Sequence, residues 1–216
     1  MFNYVAPVKF DDNGLSSTAF PFISRENLMI RVVSHTTAVN KIRDVELNNS
    51  SSDNFESEIV NRVAKFRKLA GDRSTFGQLK FVKRIEEQLY QLVPEIVKQY
   101  NPELIVQTLK GGDAIMPHKD HTRISSLFFL YTPPDSKTIW YEKTGEFEEF
   151  DNLRYGDIDG LTSVHEEVIL PNTWYVFEND MYHSVHRLEG CKIDRVCLVL
   201  EFKSITATDL YNLLSQ

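Results

Sequence analysis

Two histidines, one aspartate and one arginine in the C-terminal half have the types and spacing of a metal centre. His118 and Asp120 are two residues apart in the segment IMPHKD, and His183 and Arg195 follow in YHSVHRLEGCKIDR. Two imidazoles and one carboxylate can bind Fe(II) on one face and leave its other coordination positions open. The guanidinium of Arg195 could then hold a dicarboxylate co-substrate. The pattern therefore predicts an iron oxygenase site.

The spacing also predicts the elements that position these residues. Side chains two apart on a strand point to the same face, so His118 and Asp120 would converge on one point. The third ligand must come from a distant strand, because three adjacent residues cannot cover one octahedral face. Gly111, Gly112 and Pro117 predict a sharp approach to the first strand or close backbone packing beside the site.

The rest of the chain divides into a helical middle and a strand-rich C-terminal half. In that half, runs of Val, Ile, Phe and Tyr alternate with Gly, Pro, Asn and Asp, which favours a sandwich or barrel. Amphipathic spacing predicts two helices within residues 53–100, with Leu79 on the buried face of the second and a break at Pro94. Strands are predicted at residues 27–33, 105–109, 124–131, 138–141, 168–170, 173–177 and 196–202.

Over residues 104–202 the chain resembles the 2-oxoglutarate- and Fe(II)-dependent dioxygenase superfamily, with a pattern nearest to prolyl and aspartyl hydroxylase-like members. The resemblance is carried by the strand IVQTL, the HxD pair, the strand ISSLFFLY, the run PNTWYVF and the later His and Arg. It implies that His118, Asp120 and His183 are the catalytic iron ligands. It also implies that Arg195 binds the far carboxylate of 2-oxoglutarate.

The resemblance further implies a fold and an activity. The fold would be mainly β with flanking helices: a double-stranded β-helix (jelly-roll, cupin-like) barrel with two or more helices packed on one sheet. The enzyme would use Fe(II) and 2-oxoglutarate, with ascorbate as an optional cofactor. It would hydroxylate a peptide side chain or a small amino-acid-like substrate and release succinate and carbon dioxide. The carboxylate ligand Asp120 favours hydroxylation over halogenation.

Two other classes of protein are compatible with the same residues. One is a non-catalytic cupin-like barrel that binds a metal or a ligand. The other is a zinc hydrolase, which would need a general base beside the metal. Glu166 and Glu167 are candidates for that base by residue type alone.

Several further residues are open to more than one interpretation. Arg123, Tyr131 and Trp174 are candidates for contact with the substrate or for support of the ligands. Arg123 follows the first ligand pair closely and could reach a substrate or form a salt bridge with a nearby acid. His121 and His186 stand at odd offsets from the ligands, so on strands they would face away from the metal.

Length and charge limit the remaining possibilities. The chain of 216 residues is long enough for one domain. We expect a single domain over residues 1–216, with helical support at about 53–100 and a metal-binding barrel core at about 104–203. The net charge of −7, from 24 basic and 31 acidic residues, disfavours nucleic-acid binding, which needs clustered cations.

The sequence also carries signals of location. Two cysteines, Cys191 and Cys197, do not make a disulfide framework, and a reducing compartment suits a ferrous site. No apolar run is long enough to cross a membrane, and the N-terminus lacks the pattern of a signal peptide. We expect a cytoplasmic protein with a small-molecule or peptide substrate and no membrane partner, while the oligomeric state is left open.

Overall fold

The computed structural model describes residues 2–32, 77–111, 114–120, 123–134, 136–145, 160–188, 190 and 192–215. The strands in these ranges are β1 (Val5–Val8), β2 (Leu28–Val32), β3 (Gly77–Phe81), β4 (Glu103–Leu109), β5 (Ile115–His118), β6 (Ser125–Leu130), β7 (Ser136–Lys143), β8 (Leu161–Glu167), β9 (Trp174–Glu178), β10 (Tyr182–Arg187) and β11 (Arg195–Phe202). The helices are α1 (Leu15–Ala19), α2 (Lys83–Leu92), α3 (Glu95–Lys98) and α4 (Ala207–Leu214), with a 3-10 turn at Phe20–Phe22.

The strands form two antiparallel sheets. The major sheet has the order β1-β9-β6-β11-β4-β3-β2, and the minor sheet has the order β5-β10-β7-β8. From β4 to β11 the chain passes from one sheet to the other after every strand except β7, which is followed by β8 in the same sheet. This alternation is the strand order of a double-stranded β-helix. The predicted jelly-roll, cupin-like fold is confirmed.

The side chains of the major sheet alternate between two cores. On β11, Cys197 and Val199 face the minor sheet and pack in one apolar cluster with Trp140 of β7. Leu198 and Leu200 face the opposite side and join a second, larger cluster. Since strand side chains alternate with a period of two, a single strand supplies both cores.

The helices cover the outer face of the major sheet. Ile85 and Leu89 of α2 and Leu210 of α4 are fully buried in the same cluster as Leu198. The predicted packing of two or more helices on one sheet is therefore confirmed. None of the described helices has the length and apolar character that a membrane crossing would require.

The predicted second helix is wrong at its start and right at its end. Residues Gly77–Phe81 form β3, which pairs with both β2 and β4, so Leu79 lies on a strand. Helix α2 begins only at Lys83. Pairing on both edges outweighs the local helical spacing of this segment. The predicted break at Pro94 is confirmed, because α2 ends at Leu92 and α3 begins after the proline.

Other differences lie at exposed or terminal elements. The strand predicted at residues 168–170 is irregular, and the strand of this region is β8, which precedes it. Strand β8 is at the edge of the minor sheet and mostly exposed, so it carries little apolar alternation. Strand β1 and helix α4 were not predicted. The first predicted helix, at residues 55–70, lies outside the described residues.

The N-terminal segment is fastened to the major sheet by Asp12. Its Oδ1 accepts a hydrogen bond from the backbone of Gly14 at 2.9 Å. Its Oδ2 accepts from the backbone of Ser16 at 2.9 Å and from the indole Nε1 of Trp174 at 3.0 Å. Beside it, the hydroxyl of Tyr131 donates to the Ser16 carbonyl at 2.7 Å. One carboxylate therefore holds the start of α1 against β9.

Replacing Asp12 by alanine should lower the free energy of unfolding by about 1–2 kcal/mol, because three N–H groups lose their acceptor. Burial alone would raise the pKa of Asp12, but the hydrogen bonds outweigh it and hold that pKa below its ordinary value of 3.8. A lowered folded pKa means that this contribution is present above about pH 4 and is lost as the pH falls through the folded value.

Urea unfolding of the intact protein and of Asp12→Ala, near neutral pH and near pH 3, measures the loss of stability and its dependence on pH. Asp11→Ala is the matched control, since the Asp11 carboxylate accepts only a local, exposed hydrogen bond from the backbone of Asn13. Equal losses of stability in the two variants would contradict the role assigned to Asp12.

Candidate metal centre

The two histidine ligands are held by neighbouring strands of the minor sheet. Strands β5 and β10 run antiparallel, and His118 and His183 are direct partners in their register. Directly opposed residues of an antiparallel pair point to the same face. The two rings lie with centroids 4.5 Å apart. Both side chains are buried.

The hydrogen bond of His183 determines which of its nitrogens can bind a metal. Its Nδ1 lies 2.9 Å from the carbonyl oxygen of Met181 and therefore donates to it. Burial and, after it, the neighbouring His118 together lower the pKa of His183 to about 3. The ring is thus neutral at ordinary pH, and its Nε2 keeps a free lone pair. This nitrogen lies 3.6 Å from Oδ2 of Asp120, as two ligand atoms beside each other rather than an ion pair.

Asp120 is positioned by side chains rather than by a strand. Strand β5 ends at His118, so the expected strand does not extend to Asp120. The backbone N–H of Asp120 donates to the carbonyl of Asn179 at 3.3 Å. Its Oδ2 accepts from Nε of Arg123 and from Nδ2 of Asn179, each at 2.8 Å. Burial would raise the pKa of Asp120, but the charge of Arg123 outweighs it and holds that pKa well below its usual range.

The three groups together fit a divalent transition metal. The potential ligand atoms of His118, Asp120 and His183 all lie within 4.8 Å of one another. Two imidazoles and one carboxylate are the donor set of a facial iron site. The Nδ1 contact to Met181 and the hydrogen bonds to Asp120 supply the outer contacts that orient such ligands.

Arg123 contacts two carboxylates, that of Asp120 beyond the end of β5 and that of Glu201 on β11. Besides Asp120, it contacts Glu201 of β11 through Nη1. With its amide oxygen turned toward Arg123, Gln107 accepts from Nη2 at 3.0 Å and from Nη1 at 2.8 Å. Of the two interpretations of Arg123, the contacts in the structure match the salt bridge with an acid. Sequence reasoning missed Glu201, although an acid facing inward within the apolar strand VCLVLEF was a signal for a buried partner.

Arg195 lies in the same cavity as the histidines. The cavity between the sheets is lined by His118, His183 and Arg195, among others. Arg195 is 6% exposed, and its guanidinium carbon lies 5.1 Å from the centre of the Phe128 ring. In the part of the chain that the structure describes, it forms no ion pair. A buried guanidinium of this kind calls for an anionic partner.

Tyr131 and Trp174 lie away from the cavity. Trp174 packs against Phe129 in the cluster on the outer face of the major sheet. Tyr131 packs beside that cluster and bonds to Ser16. Their contacts are structural, because alternation turns both side chains away from the lining residue Phe128. Neither is placed to touch a substrate in this cavity.

The other residues considered are also accounted for. His186 faces the opposite side of the minor sheet from His183, with Nε2 at 3.5 Å from the hydroxyl of Tyr141. His121 lies outside the described residues. Glu166 and Glu167 are on the edge strand β8, and Glu166 pairs with Lys137 at 2.6 Å. The candidate bases of a zinc hydrolase are therefore not at the metal centre.

A close backbone approach at Gly111 supports the position of Arg195. A Cβ atom at Gly111 would overlap the backbone carbonyl of Lys192. The backbone N–H of Gly111 donates to Oδ1 of Asp194 at 2.8 Å. The segment that leads into β11 is thereby tied to the end of β4, as the predicted close packing beside the site requires. Gly112 lies outside the described residues.

The chain shows only weak similarity to known proteins. No family model matches the sequence, and no curated protein does so. The fold is similar to YcfD, a ribosomal oxygenase from Escherichia coli, with 11% identity and a TM-score of 0.36 over 63% of this chain and 34% of that one. It is similar to oxalate oxidase in complex with a substrate analogue, with 13% identity and a TM-score of 0.31 over 47% and 42%.

A third similar structure is a vicilin from Solanum melongena, with 8% identity and a TM-score of 0.35 over 61% of this chain and 29% of that one. The chain spans less than half the length of each of these three proteins. The fold assignment rests on the strand order of the chain itself. That fold and the buried His–Asp–His cluster agree with the resemblance to 2-oxoglutarate dioxygenases.

Replacing Arg123 by methionine should lower the free energy of unfolding by about 3–5 kcal/mol, because Asp120 and Glu201 would both lose the buried guanidinium that they contact. Adding Glu201→Leu should recover much of that loss, since one of the two buried carboxylates that contacted Arg123 is then removed as well. Affinity for Mn(II) should stay reduced in the double variant, because Asp120 still lacks the Nε donor. Urea unfolding and metal titration measure the two quantities.

The control is the exposed pair Lys83–Glu87, whose charged atoms are 3.8 Å apart. Lys83→Met should change stability by less than about 0.5 kcal/mol. A loss no larger in Arg123→Met than in this control would refute the buried network.

Replacing Gly111 by alanine should lower the free energy of unfolding by about 2–3 kcal/mol, because the new methyl group forces two backbone segments apart. Gly190→Ala is the control: its φ is +77° and a Cβ there meets nothing within 4 Å. That variant should lose only about 1 kcal/mol, from backbone conformation alone. If Gly190→Ala is the more damaging change in thermal unfolding, the close approach at Gly111 is not what matters.

Proposed function

We propose that this protein is an Fe(II)- and 2-oxoglutarate-dependent dioxygenase that hydroxylates a peptide side chain or a small amino-acid-like substrate. The observation that carries the proposal is the combination of two elements in one enclosed site. The ligand cluster of His118, Asp120 and His183 is one. The other is the buried guanidinium of Arg195, which lines the same cavity and has no ion pair among the described residues.

The balance of charge supports a divalent metal together with a dianion. Arg123 and Arg195 line the cavity, while Asp120 and Glu201 pair with Arg123. Histidines that bind a metal must be neutral, so the formal charges of these four side chains cancel. A divalent cation and a dicarboxylate add equal and opposite charge, so the sum stays at zero. A large net charge in such an enclosed site would be costly.

Each residue has a defined task in this proposal. His118, His183 and the ionised Asp120 would hold the metal, and Arg195 would pair with the far carboxylate of the co-substrate. Fe(II) and 2-oxoglutarate, when bound, supply the activation of dioxygen, with succinate and carbon dioxide as co-products. The buried cluster of Leu109, Ile115 and Val185 forms an apolar cavity wall that excludes water. Since Asp120 occupies the carboxylate position, the reaction favoured is hydroxylation.

Anaerobic titration of the intact protein with Fe(II) and 2-oxoglutarate should produce the visible charge-transfer band of the chelated complex. His183→Ala should abolish the band. Arg195→Ala should need about 10- to 100-fold more 2-oxoglutarate, because a charge-assisted contact to the carboxylate is lost. Arg84→Ala, which removes an exposed arginine from α2, is the matched control and should titrate like the intact protein.

The same titration separates the alternative. A non-catalytic cupin-like barrel would bind metal without the band and would consume no oxygen with 2-oxoglutarate. In that protein, Arg195→Ala would leave metal binding unchanged. Metal binding in the absence of any band would therefore replace the oxygenase proposal by the binding barrel.

A further inference from the structure

Asn179 is a buried amide on the wall of the cavity, just after β9. Its side chain is 1% exposed and lines the cavity together with both histidines and Arg195. Its backbone is held on both sides. The N–H donates to the carbonyl of Ile124 at 3.2 Å, and the carbonyl accepts from Asp120 at 3.3 Å. These two hydrogen bonds fix the backbone position from which the Asn179 side chain extends.

The amide has one orientation and leaves one atom unpaired. Nδ2 donates to Oδ2 of Asp120 at 2.8 Å. The reverse orientation would place the amide oxygen against an ionised carboxylate. With the amide so fixed, Oδ1 is buried and has no hydrogen-bond partner among the described residues. Native proteins rarely leave a buried acceptor unpaired, so Oδ1 calls for a donor from whatever enters the cavity.

The co-substrate does not supply that donor. At neutral pH 2-oxoglutarate is a dianion whose oxygens only accept hydrogen bonds, and a metal cation has none to donate. No described residue supplies the donor, so, apart from water, the remaining source is the molecule that is oxidised. The formal charges of the described side chains at the cavity already cancel with a divalent metal and a dianion present, so a charged group beside them would be disfavoured.

We propose that Oδ1 of Asn179 accepts a hydrogen bond from the substrate, which presents an uncharged N–H or O–H group beside the metal. This inference rests on the proposed function and specifies its substrate class: carboxamides or alcohols, rather than carboxylates, ammonium groups or donor-free carbon skeletons. Asn179 is then both a specificity-determining residue and a positioning residue for Asp120.

Four probes of nearly equal size test this class. Isobutyramide and 3-methyl-2-butanol carry a neutral donor, 3-methyl-2-butanone has the same skeleton without one, and isobutyrate carries a charge. The intact protein is loaded with Mn(II) and 2-oxoglutarate, and paramagnetic relaxation of the probe protons reports binding near the metal. At least one of the two donor probes should bind about tenfold more tightly than the ketone and the carboxylate, the factor expected for one buried hydrogen bond. The better of the two distinguishes an N–H from an O–H substrate.

Asn179→Leu should reduce the affinity for the preferred donor probe to that for the ketone. Thr138→Val is the matched control, because Oγ1 of Thr138 is also buried without a partner among the described residues but does not line the cavity. It should keep the full preference. If Asn179→Leu fails to fold or to bind metal, the ratio of probe affinities in the intact protein decides by itself.

The outcomes separate this inference from the proposed function. Equal binding of the ketone and both donor probes, or binding of none of the probes, overturns the inference. If in that case the intact protein still forms the Fe(II)–2-oxoglutarate band, only the role proposed for Asn179 is contradicted. If that band is absent as well, both proposals fall together.

Discussion

The candidate metal centre depends on one interaction, the contact of Arg123 with the carboxylates of Asp120 and Glu201. Asp120 stands beyond the end of β5, where no strand pairing can hold it. Arg123 holds it and at the same time contacts Glu201 in the middle of the major sheet. The two histidines belong to the minor sheet, and Asp120 is fixed relative to them through this bridge and through its hydrogen bonds with Asn179. The ligand geometry is thus a property of both sheets.

The same bridge explains why Arg195 stands apart from the other buried charges. Two carboxylates share Arg123, whereas Arg195 forms no ion pair in the described part of the chain. Arg195 instead packs over the ring of Phe128, which stabilises a guanidinium less than a carboxylate does. A buried cation held by an aromatic face is well prepared to accept an anion, since little existing pairing must be broken. The buried charges therefore divide into a paired group, Arg123 with Asp120 and Glu201, and one cation, Arg195, without an ion pair among the described residues.

The sequence was informative where spacing carries the geometry. The grouping of the His–Asp–His cluster and Arg195 could be predicted because HxD, a later His and a later Arg are local patterns on or beside strands. Leu79 misled because GQLKF fits both a period of two and the start of a helix, and only pairing with β2 and β4 decides. The contacts of Glu201 and Asn179 could not be predicted from the sequence, because their partners are distant in sequence. Tyr131 and Trp174 had suitable types, but which face of a strand points inward depends on the whole sheet.

Strand β1 gives the first residues of the chain a protective role. It pairs with β9 in register, with Val5 opposite Phe177, and the N–H of Glu178 donates to the carbonyl of Tyr4 at 2.7 Å. Strand β9 carries the cavity residue Phe177 and leads directly to Asn179. In a chain shortened past Val8, β9 would become the edge of the major sheet, with unpaired backbone groups that invite pairing with other molecules. Resistance to aggregation and the shape of the cavity wall therefore depend on the same four residues.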